Sequence, residues 1–164
     1  MSAFRASFAV LILGLVACSQ GRTPEQAYGA LRTAVLADDY EAVVRLLPEK
    51  HRTRRLADLE DQIAVWRNDP AALTEVAAEV GMTGEEILGQ PRLWVLSRFV
   101  RAEMIGSGLA RTFQPSQIVG VDYQSDDRAD VRAGEGEHVV PHPFVREGGQ
   151  WCWDWKGPQR LDRR

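Results

Sequence analysis

Apolar residues recur every three or four positions through the first two thirds of the chain and every second position after that, which predicts helices followed by strands. Thr23-Pro24-Glu25-Gln26 reads as a helix start, with threonine as cap, proline at the first helical position and glutamine three residues on. Tyr28, Leu31 and Val35 continue that helix at helical spacing, and Asp38-Asp39 breaks it. Tyr40, Val43, Val44 and Leu47 mark a second helix ending at Pro48, and Leu56, Leu59, Ile63 and Trp66 a third. Asp69-Pro70 repeats the cap-plus-proline signal before a stripe of Leu73, Val76, Ala77 and Val80, stopped by Gly81. Thr83 with Glu86 caps a short fifth piece, and Pro91 opens a longer apolar helix through Trp94, Leu96, Phe99, Val100 and Met104. Gly106 and Gly108 end it.

From Ser116 the period becomes two. Val119, Val121 and Tyr123 alternate with Gly120, Asp122 and Gln124; Ser125-Asp126-Asp127 turns the chain into Ala129, Val131 and Ala133. Gly134-Glu135-Gly136 leads to a third strand from His138 to Arg146, and Glu147-Gly148-Gly149-Gln150 to a fourth, Trp151 to Trp155. The reading is an antiparallel meander of four strands. Pro141 and Pro143 lack N–H groups on one side of the third strand, which must therefore be bulged, lie at an edge, or change neighbours midway.

The N-terminus carries the strongest chemical signal. Arg5 precedes a run from Ala6 to Ala17 that is almost wholly apolar and too short to span a bilayer, the pattern of an export signal. Its end, Leu15-Val16-Ala17-Cys18, resembles the lipobox of bacterial lipoproteins. The resemblance implies a signal peptide over 1–17, diacylglycerol on the Cys18 thiol, cleavage before it and acylation of the new amine. Residues 18–23 would then be the lipidated cysteine and a short tether, with Ser19 to Thr23 reaching at most ~18 Å. Two or more acyl chains hold a protein on a membrane stably. Ser19, rather than aspartate, after the cysteine favours the outer membrane facing the periplasm where the source has one. The only other cysteine, Cys152, then lacks a partner within the chain and is expected to be a buried, inert thiol.

Lys and Arg number 20 against 23 Asp and Glu, a formal charge of −3 that becomes one unit more negative without Arg5. That balance offers nucleic acid no global attraction. Residues 72–88 resemble a helix-turn-helix pattern, but Asp69 to Gln90 carries Asp69, Glu75, Glu79, Glu85 and Glu86 with no Lys, Arg or His, which phosphate would repel. No nucleic-acid partner is expected.

Thr23-Pro24-Glu25-Gln26-Ala27 through Asp39-Tyr40-Glu41 and Leu46-Leu47-Pro48 resembles the opening of small bacterial lipoproteins with a nuclear-transport-factor-2-like domain. Phe144-Val145-Arg146-Glu147-Gly148-Gly149-Gln150-Trp151, with Asp154 following, resembles the last hairpin of the same fold. The resemblance implies an α+β cone, helices lying across the concave face of a curved four-stranded antiparallel sheet, with Asp69 to Met104 as a helical insertion. The expected organisation is one domain over 24–157, helices in 24–108 and strands in 116–155, followed by a charged tail, 158–164.

Candidate sites are few. Trp151, Trp153 and Trp155 share one strand face and read as core, or as a stacking platform in a cone pocket for a flat or sugar-like ligand; Tyr123 and Asp122 are the neighbouring pocket candidates. Asp122, facing opposite to Val121 and Tyr123, reads as a solvent-facing residue, or as a pocket general base as in the cone-fold isomerases that the resemblance brings in. Lys50, Arg52, Arg54 and Arg55 form the one basic cluster, a solvated helix start balanced by Asp58, Glu60 and Asp61, or a contact for anionic headgroups. His138 and His142 are four apart, but on a strand that separates them by ~13 Å, too far to share a metal ion. No metal or cofactor is implied, and no nucleophilic triad spacing occurs. The expectation is a lipid-anchored envelope protein with a non-catalytic ligand-binding or accessory domain. The alternatives are a small cone-fold enzyme using general acid–base chemistry and a structural partner in an envelope complex. Its partners would be the membrane, through Cys18, and an envelope protein or small molecule.

Overall fold

A computed structural model describes residues 23–114 and 116–157. The helices are α1 (Pro24–Leu36), α2 (Tyr40–Arg45), α3 (Glu49–Trp66), α4 (Pro70–Val80), α5 (Gly84–Gly89) and α6 (Arg92–Gly106). A 3₁₀ turn (Leu109–Phe113) precedes β1 (Gln117–Ser125), β2 (Arg128–Glu135), β3 (His138–Glu147) and β4 (Gln150–Trp153). The fold is α+β, six helices and one antiparallel sheet in the order β1-β2-β3-β4. Cys18, its tether up to Arg22 and the tail 158–164 lie outside the described residues.

The caps read from sequence are the caps that form. Thr23 Oγ1 accepts from Gln26 N at 3.3 Å, and Asp39 and Asp69 each accept from the third residue beyond at 3.0 Å. Thr83 and Glu86 make a reciprocal capping box, and Gly81 takes the left-handed conformation that ends α4, φ 69°. These side chains satisfy amides that a bare helix end would leave open. The 3₁₀ turn was not foreseen, and it buries Phe113 completely.

In the sheet, rows of directly paired residues share a face. Val121, Val131 and His142 form one row; Tyr123, Ala129, Phe144 and Trp153 form the next. That face carries the buried positions Ala129, Val131, Ala133, His142, Phe144 and Trp153, and α1 covers it with Ala27, Tyr28 and Leu31. The opposite face carries Asp122, Asp130 and Pro143 in one row and Gly120, Arg132 and Pro141 in another. β3 pairs with β2 from His138 to Val145 but with β4 only from Phe144 onward, so Pro141 falls where a second neighbour is missing and Pro143 where β4 gives out, its carbonyl still accepting from Asp154 N. Of the three sequence alternatives, the edge is the one realised, since the first half of β3 has β2 alone as its neighbour among the described residues.

β4 ends at Trp153, two residues earlier than the alternation suggests. Trp153 N donates outward to Leu46 O at 2.8 Å, and one more bond reaches β3, from Asp154 N to Pro143 O at 2.9 Å, before the chain departs from the sheet. Trp155, off the strand, lies flat on Trp153 with centroids 4.9 Å apart and planes at 7°. On the helical side α6 packs against α2 and α3, and α4 against α5, α6 and α3.

Candidate functional site

The inner face of the sheet is where a cone-fold protein would hold its ligand. Here side chains occupy it. Tyr28 stacks on Phe113 at 5.8 Å, and His142 lies tilted against both rings, 5.0 Å from Tyr28 and 4.8 Å from Phe113. Trp153 meets Phe113 edge-on at 6.3 Å. His142 is 1 % exposed and Trp153 1 %, so neither ring is open to solvent. Tyr28 Oη and Ser116 Oγ share a hydrogen bond at 2.6 Å, which ties α1 to the start of the sheet.

His142 is the residue the sequence reading passed over, weighed there only as half of a metal pair. It shares strand parity with Val140 and Phe144, the signal that would have placed it among the inner residues. Burial lowers its pKa to about 4, because a charged imidazolium has no compensating partner among these rings. His142 Nε2 and Trp153 Nε1 are both buried without a hydrogen-bond partner among the described residues. Burial likewise raises the Tyr28 hydroxyl above its ordinary pKa, against a smaller opposing effect of the Ser116 hydrogen bond. The chemistry of this cluster is that of a neutral, buried core.

The four pocket candidates do not assemble into a pocket. Trp151 and Trp153 are buried, and the face of Trp153 that a flat ligand would use is taken by Trp155. Tyr123 sits at the border of the inner face, 60 % exposed, its ring edge-on to Trp151 at 6.2 Å. Asp122 lies on the outer face, where Arg132 Nε holds its carboxylate at 2.9 Å. From the outer face this carboxylate cannot reach anything bound between helices and sheet.

The basic cluster also divides. Arg55 is turned inward, bonded to Glu103 and placed over the Trp155 ring with its guanidinium carbon 5.2 Å from the centroid. Arg52 donates to the Arg45 carbonyl at 3.2 Å. Only Lys50 and Arg54 are exposed, and Arg54 faces Asp58 at 3.8 Å. Helix periodicity explains the split, because Arg55 lies one turn beyond His51 on the side facing the body, whereas Lys50 and Arg54 share the outer side.

At that helix start His51 Nδ1 stands 3.5 Å from Asp154 Oδ1. The neighbouring thiol does not complete a nucleophilic arrangement. Cys152 is buried as expected, and burial first, then the Glu147 carboxylate, raises its pKa, so it stays protonated at neutral pH. Between α3 and α6, Arg55, Leu59, Gln62, Trp66, Leu96, Phe99 and Glu103 enclose a void of ≈ 20 Å³, room for about one water. Trp66 and Phe99 stack at 5.9 Å and close it.

Among the described residues no group of three or more His, Cys, Asp or Glu side chains is placed to hold a metal, and no helix is long and apolar enough to cross a membrane. No protein-family model, no curated protein and no solved structure matches this chain.

Proposed function

We propose that this chain is an envelope lipoprotein, anchored through lipid on Cys18, whose folded domain is a non-catalytic accessory module of the nuclear-transport-factor-2-like kind. Three features support the reading. Met1 to Cys18 has the charge, apolar run and terminal cysteine of a lipoprotein signal. The helices-then-meander order agrees in general class with the cone fold. The observation that carries the non-catalytic part is the packed inner face: Tyr28, Phe113, His142 and Trp153 fill the volume in which a cone-fold enzyme would place substrate. Asp122, the acid that an isomerase-like reading would use, faces the other way. A domain with a filled cone works through its surface and its address. This favours an accessory or structural role over binding of a small molecule inside the fold.

Radiolabelled palmitate, supplied to cells making the wild-type chain beside Cys18→Ser, tests the anchor. The reading expects label on the wild type in the membrane fraction and none on the variant. Label retained by the variant, or absent from both, removes the proposed address.

A further inference from the structure

Among the described residues, three of the six exposed large hydrophobic side chains, Ile118, Val119 and Tyr123, lie on β1, which has no neighbour among them on its outer side. β1 is 9 residues long and none of it is buried. A long, apolar, open strand edge is a template for another strand. The partner's chemistry can be read from what crosses the edge. Arg132, on β2, reaches over β1 at Gly120: a β-carbon there would stand 3.0 Å from Arg132 Nη2. The absent side chain at Gly120 is what lets a guanidinium from the second strand lie beside the free edge. Its Nε holds Asp122 at 2.9 Å, and both groups remain about half exposed.

We infer that β1 joins β1 of a second copy of this chain, antiparallel about a two-fold axis through Val121. In that register Asp122 of each copy faces Gly120 of the other, under the Arg132 guanidinium that lies there, so each arginine gains a carboxylate from the second chain. Tyr123 of each copy lies one position beyond the Asp122–Gly120 pair, beside the bulged Val119 of the other, and the two side chains are 60 % and 57 % exposed in the single chain. Two register shifts, between Ile118 and Gly120 and between Tyr123 and Ser125, confine the regular ladder to Gly120–Tyr123. The shared ladder is short, and these side-chain pairs, each occurring twice by symmetry, set its register.

Disulfide trapping reads the register in the full chain, in whichever cell fraction holds it, so its outcome is separate from that of the anchor. Val121→Cys in a Cys152→Ser background brings two thiols together on the axis at a spacing a disulfide accepts. The parent chain sets the background due to Cys18. A covalent homodimer well above background is expected. Val119→Cys co-expressed with Tyr123→Cys, both at exposed positions and losing only the edge-on contact of Tyr123 with Trp151, traps the same dimer. Asp122→Lys lowers trapping about tenfold, because it removes two ion pairs at once, and adding Arg132→Glu restores it. Trapping no greater than background in both designs, a trapped partner that is another protein, or a double variant that fails to recover each overturns the inference.

Discussion

At one border of the sheet β4 runs for 4 residues and is covered; at the other, β1 runs for 9 and is bare. The covered border is closed by pieces from three places in the sequence. Leu46 supplies a carbonyl to Trp153, Glu147 accepts from Glu49 N at 2.6 Å, and Trp155 folds back over Trp153 under Arg55. The inner residues beside it, His142 and Trp153, give up hydrogen bonds in exchange for complete burial. Alternation alone does not separate these borders, since apolar residues occur at every second position in both. What differs is whether helices have been spent on them, and α1 to α3 all pack on the β4 side or the inner face. The lesson is that this domain stores its stability at one border and keeps the other for contact.

That contrast makes unequal predictions. Trp153→Ala, which removes the ring joining Phe113 to Trp155, should destabilise the fold by about 3–5 kcal/mol in urea unfolding. A loss below about 1 kcal/mol would mean that the β4 side is not the packed one.

Acid should act on the same side. His142 has its folded-state pKa lowered from 6.5 to about 4, so the unfolded chain takes up the proton first as pH falls. The stability from keeping it neutral is complete above pH 6.5 and is lost as pH falls towards about 4, a difference of about 3 kcal/mol. His142→Leu should remove that share of the acid sensitivity, seen as a flatter dependence of the urea midpoint on pH; parallel curves for the two proteins would count against a sealed imidazole.

Smaller effects follow at the join between α1 and the sheet. Tyr28→Phe breaks the bond to Ser116, whose hydroxyl keeps a second bond to Phe113 O at 3.2 Å, and should cost about 1 kcal/mol. At the bare border Val119→Ser, at a side chain 57 % exposed, should change the stability of the single chain by no more than about 0.5 kcal/mol in the same assay. A large loss there would erase the contrast.

Much of this architecture can be read before folding because the signals are local. Thr23, Asp39, Asp69 and Thr83 cap helices by bonding amides within three residues, and nothing distant is needed to recognise them. The hairpin turns and the burial of Trp151 and Trp153 follow equally from short-range pattern. The remainder depends on contacts far apart in sequence. His142 is a core residue only because Tyr28 and Phe113 reach it, and the latter stands on a 3₁₀ turn that apolar spacing does not announce. Trp155 lies flat on Trp153 instead of continuing the strand, and Arg55 leaves the basic cluster because Glu103 and Trp155 draw it inward. The bulge at Val119 shows itself only in the register with Ala133 and Arg132.

The packed inner face rests most directly on the state of one ring. An NMR titration of the His142 imidazole, assigned by the resonance missing from His142→Asn, should give a midpoint near 4 in the folded chain. A midpoint close to the ordinary 6.5 would show the ring in contact with water, and the inner face would then be an open site rather than a core.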